Sequence, residues 1–530
     1  MKKLSIIILL SLTMGNLLLS QGYSHYGNNQ FNPFERHLYQ PGKNFHTSIK
    51  DYRMDELEKI MNTDSVLYLG IKIKPGKQNF WKRIFNDDLL GWQDEEIKVV
   101  INPIVDFQLG HDAPSGRNTF VNTRGFFLKG NLGKNLHFYT DYCENQAAFP
   151  TYIEEYIDKT RVVPGQGKSK RFKTDANDFA QATGYLSFNA NRWVNMQVGF
   201  GKNFIGDGYR SLILSDNSYS YPFAKLTATF WKVKYMIMWN QMNWLSSENS
   251  NDDPYPKKYG VFHYLDWNIG KRFSIGLFES VVWAKEDETG HRGFEAAYLN
   301  PILFFRPVEY SLGSPDKMLI GLNTKYIIAK NLTIYGQFVF NEFKADELFS
   351  DKKWWGNKFG FQAGFKSHNL FAIKNLDLQS EYSQVRPYTY TGYTAANNYG
   401  NYNQPLAHPL GANFRESVSI VNYRCRRWLL KGQLNVAMYG DDTKETNFGH
   451  DIYLPSTSRP SDYGHFVGQG TKTDLLFGDA SISYLINPRN MFNVCLGARY
   501  RKASTTETTQ ESKHIYFAIR MSLKNLYYDF

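Results

Sequence analysis

From Val99 onward the chain is built of short stretches in which apolar and polar residues alternate, and the connections between these stretches alternate in length. Met318, Ile320, Leu322 and Tyr326 share one face of such a stretch, with Gly321, Asn323 and Lys325 on the other. After a turn at Ala329, Lys330 and Asn331, the apolar face resumes with Leu332, Ile334, Phe338 and Phe340, opposite Thr333, Gln337 and Asn341. Val194, Met196, Val198 and Phe200, alternating with Asn195, Gln197 and Gly199, repeat the pattern. Period two is the signature of a strand with one apolar face. Short turns are expected near Gly133, Asn191, Trp231, Lys271, Lys330, Asn369, Arg426 and Pro488. Long connections are expected at 144–178, 203–222, 285–317, 386–415 and 440–472, with shorter ones near 109–118, 245–256, 345–355 and 503–513. A soluble sandwich has no reason to sort its loops by length, whereas a membrane barrel has tight turns on one rim and long loops on the other. The expected fold is all-β, a transmembrane antiparallel barrel of about 18 strands with a small, partly helical N-terminal segment.

Composition agrees with this reading. Mean hydropathy is −0.48 and no stretch beyond the leader has the long apolar run of a spanning helix. Aromatic residues make up 16% of the chain, which suits strands and interfacial girdles. Residues 1–21 read as a signal peptide: Lys2 and Lys3 precede an apolar core from Leu4 to Leu19, and Ser20 is the small residue before the cut. Residues 22–98 form an N-terminal periplasmic or plug segment with short helices over 51–62 and 79–90. Residues 99–530 form the barrel. The final stretch, His514 to Phe530, alternates Ile515, Phe517 and Ile519 with Ala518 and Arg520. It resembles the closing strand of bacterial outer-membrane barrels, with a bulge or the rim expected between Leu523 and Leu526. Cys143, Cys425 and Cys495 all fall inside expected strands, so no disulfide framework, metal site or cofactor is expected.

Three long connections carry more information than the others. Gly201–Ala224, Tyr298–Leu319 and Tyr402–Glu416 combine Gly or Pro punctuation with charged and aromatic residues, which gives each a defined path. The run from Gly206 to Asn217 (GDGYRSLILSDN), the run from Leu299 to Asp316 and Gln404–Gly411 (QPLAHPLG) resemble the Wzi-type capsule-assembly family. They resemble more closely its Bacteroidetes branch, which includes gliding-associated RemB-like proteins. The resemblance implies an eighteen-stranded outer-membrane barrel that attaches or assembles capsular polysaccharide by lectin-like binding, without catalysis. Tyr209, Arg210, Asp216, Arg306, Glu309 and His408 are the candidate glycan-binding residues. Sugars stack on aromatic faces and pair their hydroxyls and carboxylates with polar groups. The same ion pairs would equally pin loops into the lumen and plug it.

A formal net charge of +11 favours anionic partners, namely an acidic surface polysaccharide or the lipopolysaccharide of the outer membrane. Nucleic acid is not expected, because no nucleic-acid motif accompanies the charge. With both termini periplasmic, Lys159, Arg161, Lys168, Lys170, Arg171 and Lys173 lie on an outward basic loop, either a solvated, phosphate-neutralising stretch or a ligand contact. Three other functions compete. Asp207, Asp216, Glu309, His408 and His450 could be assembled into an acid–base set, but their spacing does not demand it and catalytic motifs are lacking. An anion-selective porin suits the polar inner face. A scaffold of gliding or secretion machinery would use a periplasmic or outer-membrane protein partner instead of a glycan.

Overall fold

A computed structural model describes residues 22–23, 33–69, 71, 80–173, 175–245, 255–287, 290–301, 316–342, 344–348, 350–521 and 524–530. Eighteen antiparallel strands close into one barrel. In chain order they are β1 (Ile97–Asp112), β2 (Arg117–Leu132), β3 (Leu136–Ala148), β4 (Ala176–Asn189), β5 (Val194–Gly201) and β6 (Tyr221–Phe230). Next come β7 (Val233–Asn243), β8 (Lys257–Ile269), β9 (Phe273–Ala284), β10 (Lys317–Ala329), β11 (Leu332–Glu342) and β12 (Lys358–His368). The last six are β13 (Leu376–Val385), β14 (Phe414–Cys425), β15 (Trp428–Asp441), β16 (Thr471–Asn487), β17 (Phe492–Ser504) and β18 (Thr509–Met521). The expected short turns all lie on one rim, among them Trp231–Lys232 and Arg426–Arg427. The connections 149–175, 202–220, 285–316, 386–413 and 442–470 lie on the other.

The wall is apolar outside and polar inside. Asn195, Gln197, Asn323, Lys325 and Gln337 are buried toward the bore, while Leu109 is 70% and Ile515 63% exposed on the outer face. A belt of this kind around a whole protein is stable only against lipid. Exposed Trp193, Trp231, Trp267, Trp428 and Tyr484 mark the short-turn rim, the place of an interfacial aromatic girdle.

The closing seam departs from the sequence expectation. β18 meets β1 only as far as Met521 opposite Val105. Below that point Leu90–Gln93 takes over the same row, with Leu90 opposite Ile101 and Gln93 opposite Lys98. The stretch to Phe530 is therefore not one closing strand: residues 524–530 turn into the bore. The reason is parity. Odd-numbered residues of β18 such as Ile515 and Phe517 face lipid, so a continued strand would turn Asn525 and Asp529 outward as well. Inside, Lys524 reaches Asp141 (2.6 Å), and Arg501 Nε donates to the Phe530 carbonyl (2.9 Å). Of the bulge or rim expected between Leu523 and Leu526, Leu523 lies outside the described residues, and Asn525 already sits in the bore, donating to Asp216 (2.8 Å).

Residues 33–69 fill the short-turn half of the bore. Short helices α1 (Glu35–Leu38), α2 (Met54–Glu58) and α3 (Thr63–Tyr68) carry Leu38, Leu57 and Val66 into one apolar cluster with Phe34, Tyr39 and Tyr52. The polar wall holds this cluster by ion pairs: Lys366 to Glu35 (2.8 Å), Arg36 to Asp377 (2.8 Å) and Lys234 to Glu56 (2.9 Å). A further helix, α4 (Phe80–Asn86), lies at the short-turn rim, where Arg427 donates to Asn86 Oδ1 (2.7 Å).

Candidate functional site

The connection 202–220 does not project from the barrel; it folds across the bore. Ile205 pairs with Ile49, placing the connection against the N-terminal segment. Asp207 accepts from Tyr39 (2.7 Å), Thr47 (2.5 Å) and Asn323 (3.1 Å). Beyond it the backbone N–H groups of Tyr209 and Arg210 both donate to Glu381 (2.8 Å each), which also accepts from Tyr335 (2.8 Å). Gly208 makes this approach possible, because a Cβ there would lie 2.8 Å from Glu381 Oε2. The motif at Gln404–Gly411 packs on the same connection: Ser215 N donates to the Leu406 carbonyl (2.7 Å). Tyr390 and Tyr399 donate to the carbonyls of Leu212 and Ile213 (2.7 Å each).

Four of the candidate residues converge on this interior. The Arg210 guanidinium, 1% exposed, lies between Glu416 (3.0 Å) and Asp529 (3.1 Å). Tyr209 donates to Asp529 (2.8 Å), His408 contacts Glu416 (2.8 Å), and Asp216 accepts from Asn525 (2.8 Å) and Tyr527 (2.7 Å). Burial holds the His408 imidazole below its ordinary pKa, against the pull of Glu416. Every one of these partners belongs to the chain, and Tyr209, Arg210 and His408 are closed to solvent. They pin the plug. Arg306 and Glu309 lie outside the described residues. The proposed acid–base set is dispersed: Asp207, Asp216 and His408 have separate partners, and His450 lies near Asp441 (3.4 Å).

The basic loop divides in the same way. Helix α5 (Thr151–Thr160) fills its first half, and Arg161 follows as its left-handed C-cap. Arg171 is bound to Glu154 (2.7 Å) and Asp158 of this helix. Lys159 and Lys170 are exposed, and Lys173 lies over the Phe172 ring. Lys168 joins a group of aromatic rings. Its Nζ donates to Tyr255 Oη (3.1 Å), and Tyr255 meets Tyr402 edge-on (5.9 Å between centroids). Tyr402 in turn packs on Tyr219 (4.7 Å).

Four separate long connections supply these residues, all half-buried on the long-loop rim. Tyr402 and Asn403, both at φ 55°, are the turn of a small hairpin that pairs Asn401 with Gln404. Such turns favour Asn and Gly, and a bulky residue there costs about 1–2 kcal/mol. What Tyr402 adds is its ring at the centre of the platform, and burial raises its phenol pKa to about 12, so it is a neutral donor. Tyrosine faces beside hydroxyl and ammonium groups match the faces, hydroxyls and carboxylates of an acidic sugar. Sequence reading singled out Lys168 but not Tyr219, Tyr255 or Tyr402; the available signal was a tyrosine flanked by two asparagines in a predicted loop.

No protein-family model matches the chain, and no curated protein is similar to it. Among solved structures, the chain is similar to Wzi, an outer-membrane protein involved in group 1 capsule assembly in Escherichia coli and a carbohydrate-binding β-barrel. The TM-score is 0.53 at 13% identity, over 93% of this chain and 98% of that one. The chain thus has a Wzi-like fold. Pseudomonas aeruginosa OprD also aligns, with a TM-score of 0.42 at 9% identity over 79% of this chain and 94% of that one. So does Acinetobacter baumannii OccAB2, with a TM-score of 0.43 at 10% identity over 80% and 97%.

Proposed function

We propose that this protein is an outer-membrane barrel that holds polysaccharide at the cell surface as a lectin does, without catalysis. The long connections face outward and the short turns face the periplasm. The observation that carries the proposal is a half-open platform of Lys168, Tyr255, Tyr402 and Tyr219 above a bore filled by the chain itself. Among the described residues a plug secured by buried ion pairs crosses the bore, which favours capture at the rim over passage. The Wzi-like fold supports the same reading. Lys168 and the overall charge favour an acidic glycan. The loop motifs at Gly206–Asn217 and Gln404–Gly411 favour a Bacteroidetes-type, gliding-associated branch of Wzi-like proteins.

The test is to measure retention of capsular polysaccharide from the source organism on the purified full chain and on Tyr402→Ala. Strong retention by the parent and weak retention by the variant are expected. A large, steady open-channel current from the parent in planar bilayers would overturn the proposal in favour of a porin.

A further inference from the structure

On part of the outer wall small residues thin the apolar belt. Gly336, Ala363, Tyr382 and Ser417 are successive register partners on β11 to β14. The row continues through Val436 and Leu476 to Lys502 on β17. Side chains above and below it are large, such as Ile334, Phe338 and Leu434. Small residues between large ones leave a furrow. Its lower part, about 650 Å³, runs over Gly336, Ala363 and Phe365. Its upper part, about 530 Å³, ends among Val436, Leu476, Arg415 and Lys502. Tyr382 and Ser417 line both parts, so the two adjoin at these residues.

The upper end is cationic. Arg415, Lys472, Lys502 and Lys513 stand there on the outward faces of β14 and β16 to β18, against Asp474 and Glu511. Lys472 holds Asp474 (2.9 Å), and Lys513 holds Glu511 (3.1 Å), the register partner of Lys502. Arg415 and Lys502 make no ion pair among the described residues. This end lies where the outward residues change from charged to apolar: Lys472 and Asp474 give way to Leu476, and Lys513 to Ile515. Cations at the boundary of a lipid-facing belt, above an apolar furrow, complement an amphiphile with an anionic head and an extended tail.

We propose that this furrow is a specific site for a phosphorylated glycolipid of the outer leaflet. Its phosphate lies against Arg415 and Lys502, and one acyl chain lies along Ala363 and Gly336. The site is distinct from the polysaccharide platform and depends on the proposed function only for which leaflet meets the long-loop rim.

The experiment is native mass spectrometry of the full chain in mild detergent, titrated with diphosphoryl lipid A and, separately, with phosphatidylethanolamine. One lipid A is expected to remain bound under activation that strips phosphatidylethanolamine. The double variant Arg415→Ser with Lys502→Ser is expected to weaken retention about ten-fold. Ala363→Leu, which fills the furrow without touching a charge, should weaken it as well. Both variants should keep the parent's melting temperature and polysaccharide retention, which separates failure here from failure of the proposed function. Equal retention of both lipids by all variants would mean only a non-specific lipid shell and overturn the proposal. Competition by the deacylated diphosphoryl disaccharide at the lipid's own concentration would also overturn it, as a site for phosphate alone. A concentration-dependent dimer abolished by Ala363→Leu would overturn it in favour of a second copy of this chain.

Discussion

The interior around Arg210 and the rim around Tyr402 are made of the same materials, tyrosine rings with a cation and polar groups, yet they are in opposite states. At Arg210 the chain supplies every partner: Glu416 and Asp529 flank the guanidinium, and the rings of Tyr209 and Tyr527 cover it. At Tyr402 the rings meet at a tilt and edge-on and stay half-open, and Lys168 reaches the Tyr255 phenol. A cluster closed to solvent ties the chain to itself, and a half-open one offers its faces to a ligand. Residue type alone does not tell the two apart; what differs is where the partners come from.

Substitutions on each side should separate the two states. Arg210→Met leaves Glu416 and Asp529 facing one another, buried and uncompensated, and should cost about 3–5 kcal/mol. Thermal unfolding in detergent should show the lowered midpoint, whereas an unmoved midpoint would mean that the network does not secure the plug. Tyr402→Ala should weaken polysaccharide retention about ten-fold, roughly the 1.4 kcal/mol of a lost stacking face, with the midpoint unchanged. If the midpoint fell and retention held, the platform would be structural like the interior.

Acidity offers a third comparison. Burial lowers the His408 pKa in the folded chain, so the unfolded chain binds the proton more readily. Its contribution to stability is complete above about pH 6.5 and is lost as pH falls through the folded value. The unfolding midpoint should fall between pH 7 and pH 5, and fall less in His408→Gln; parallel curves would contradict the burial argument. The smallest effect is expected from Lys168→Ala: a loss of a few-fold in retention, with a flatter dependence on salt, because an exposed cation acts through a screened field.

The barrel was legible because each strand has two unlike surroundings, so Asn323 and Lys325 against Tyr326, or Thr333 and Gln337 against Ile334, show the pleat directly. Turn positions followed from where that pattern broke. The interior was much less legible. Arg210 meets Glu416 across 206 positions and the Asp529 carbonyl across 319, and local periodicity holds no trace of such pairs. Tyr209, Arg210 and His408 read equally as ligand contacts or as pins, and only burial separates the two. The turn of residues 524–530 into the bore was missed because the change of parity between Leu523 and Leu526 reads as a bulge or rim of the closing strand. The tyrosine platform assembles four connections far apart in sequence; Gly201–Ala224, Tyr402–Glu416 and the charge of Lys168 drew notice beforehand, but local sequence does not show that they converge.

The shared row on β1 has a consequence for biogenesis. A ring whose last gap is sealed partly by β18 and partly by Leu90–Gln93 cannot be shut by its carboxy-terminal hairpin alone. We infer that this amino-terminal hairpin is in place when the cylinder locks, so part of the seal is installed during construction instead of being added to a finished pipe. Lesions that delay its seating should therefore show up as stalled insertion intermediates with an unsealed margin, long before any mature protein could leak.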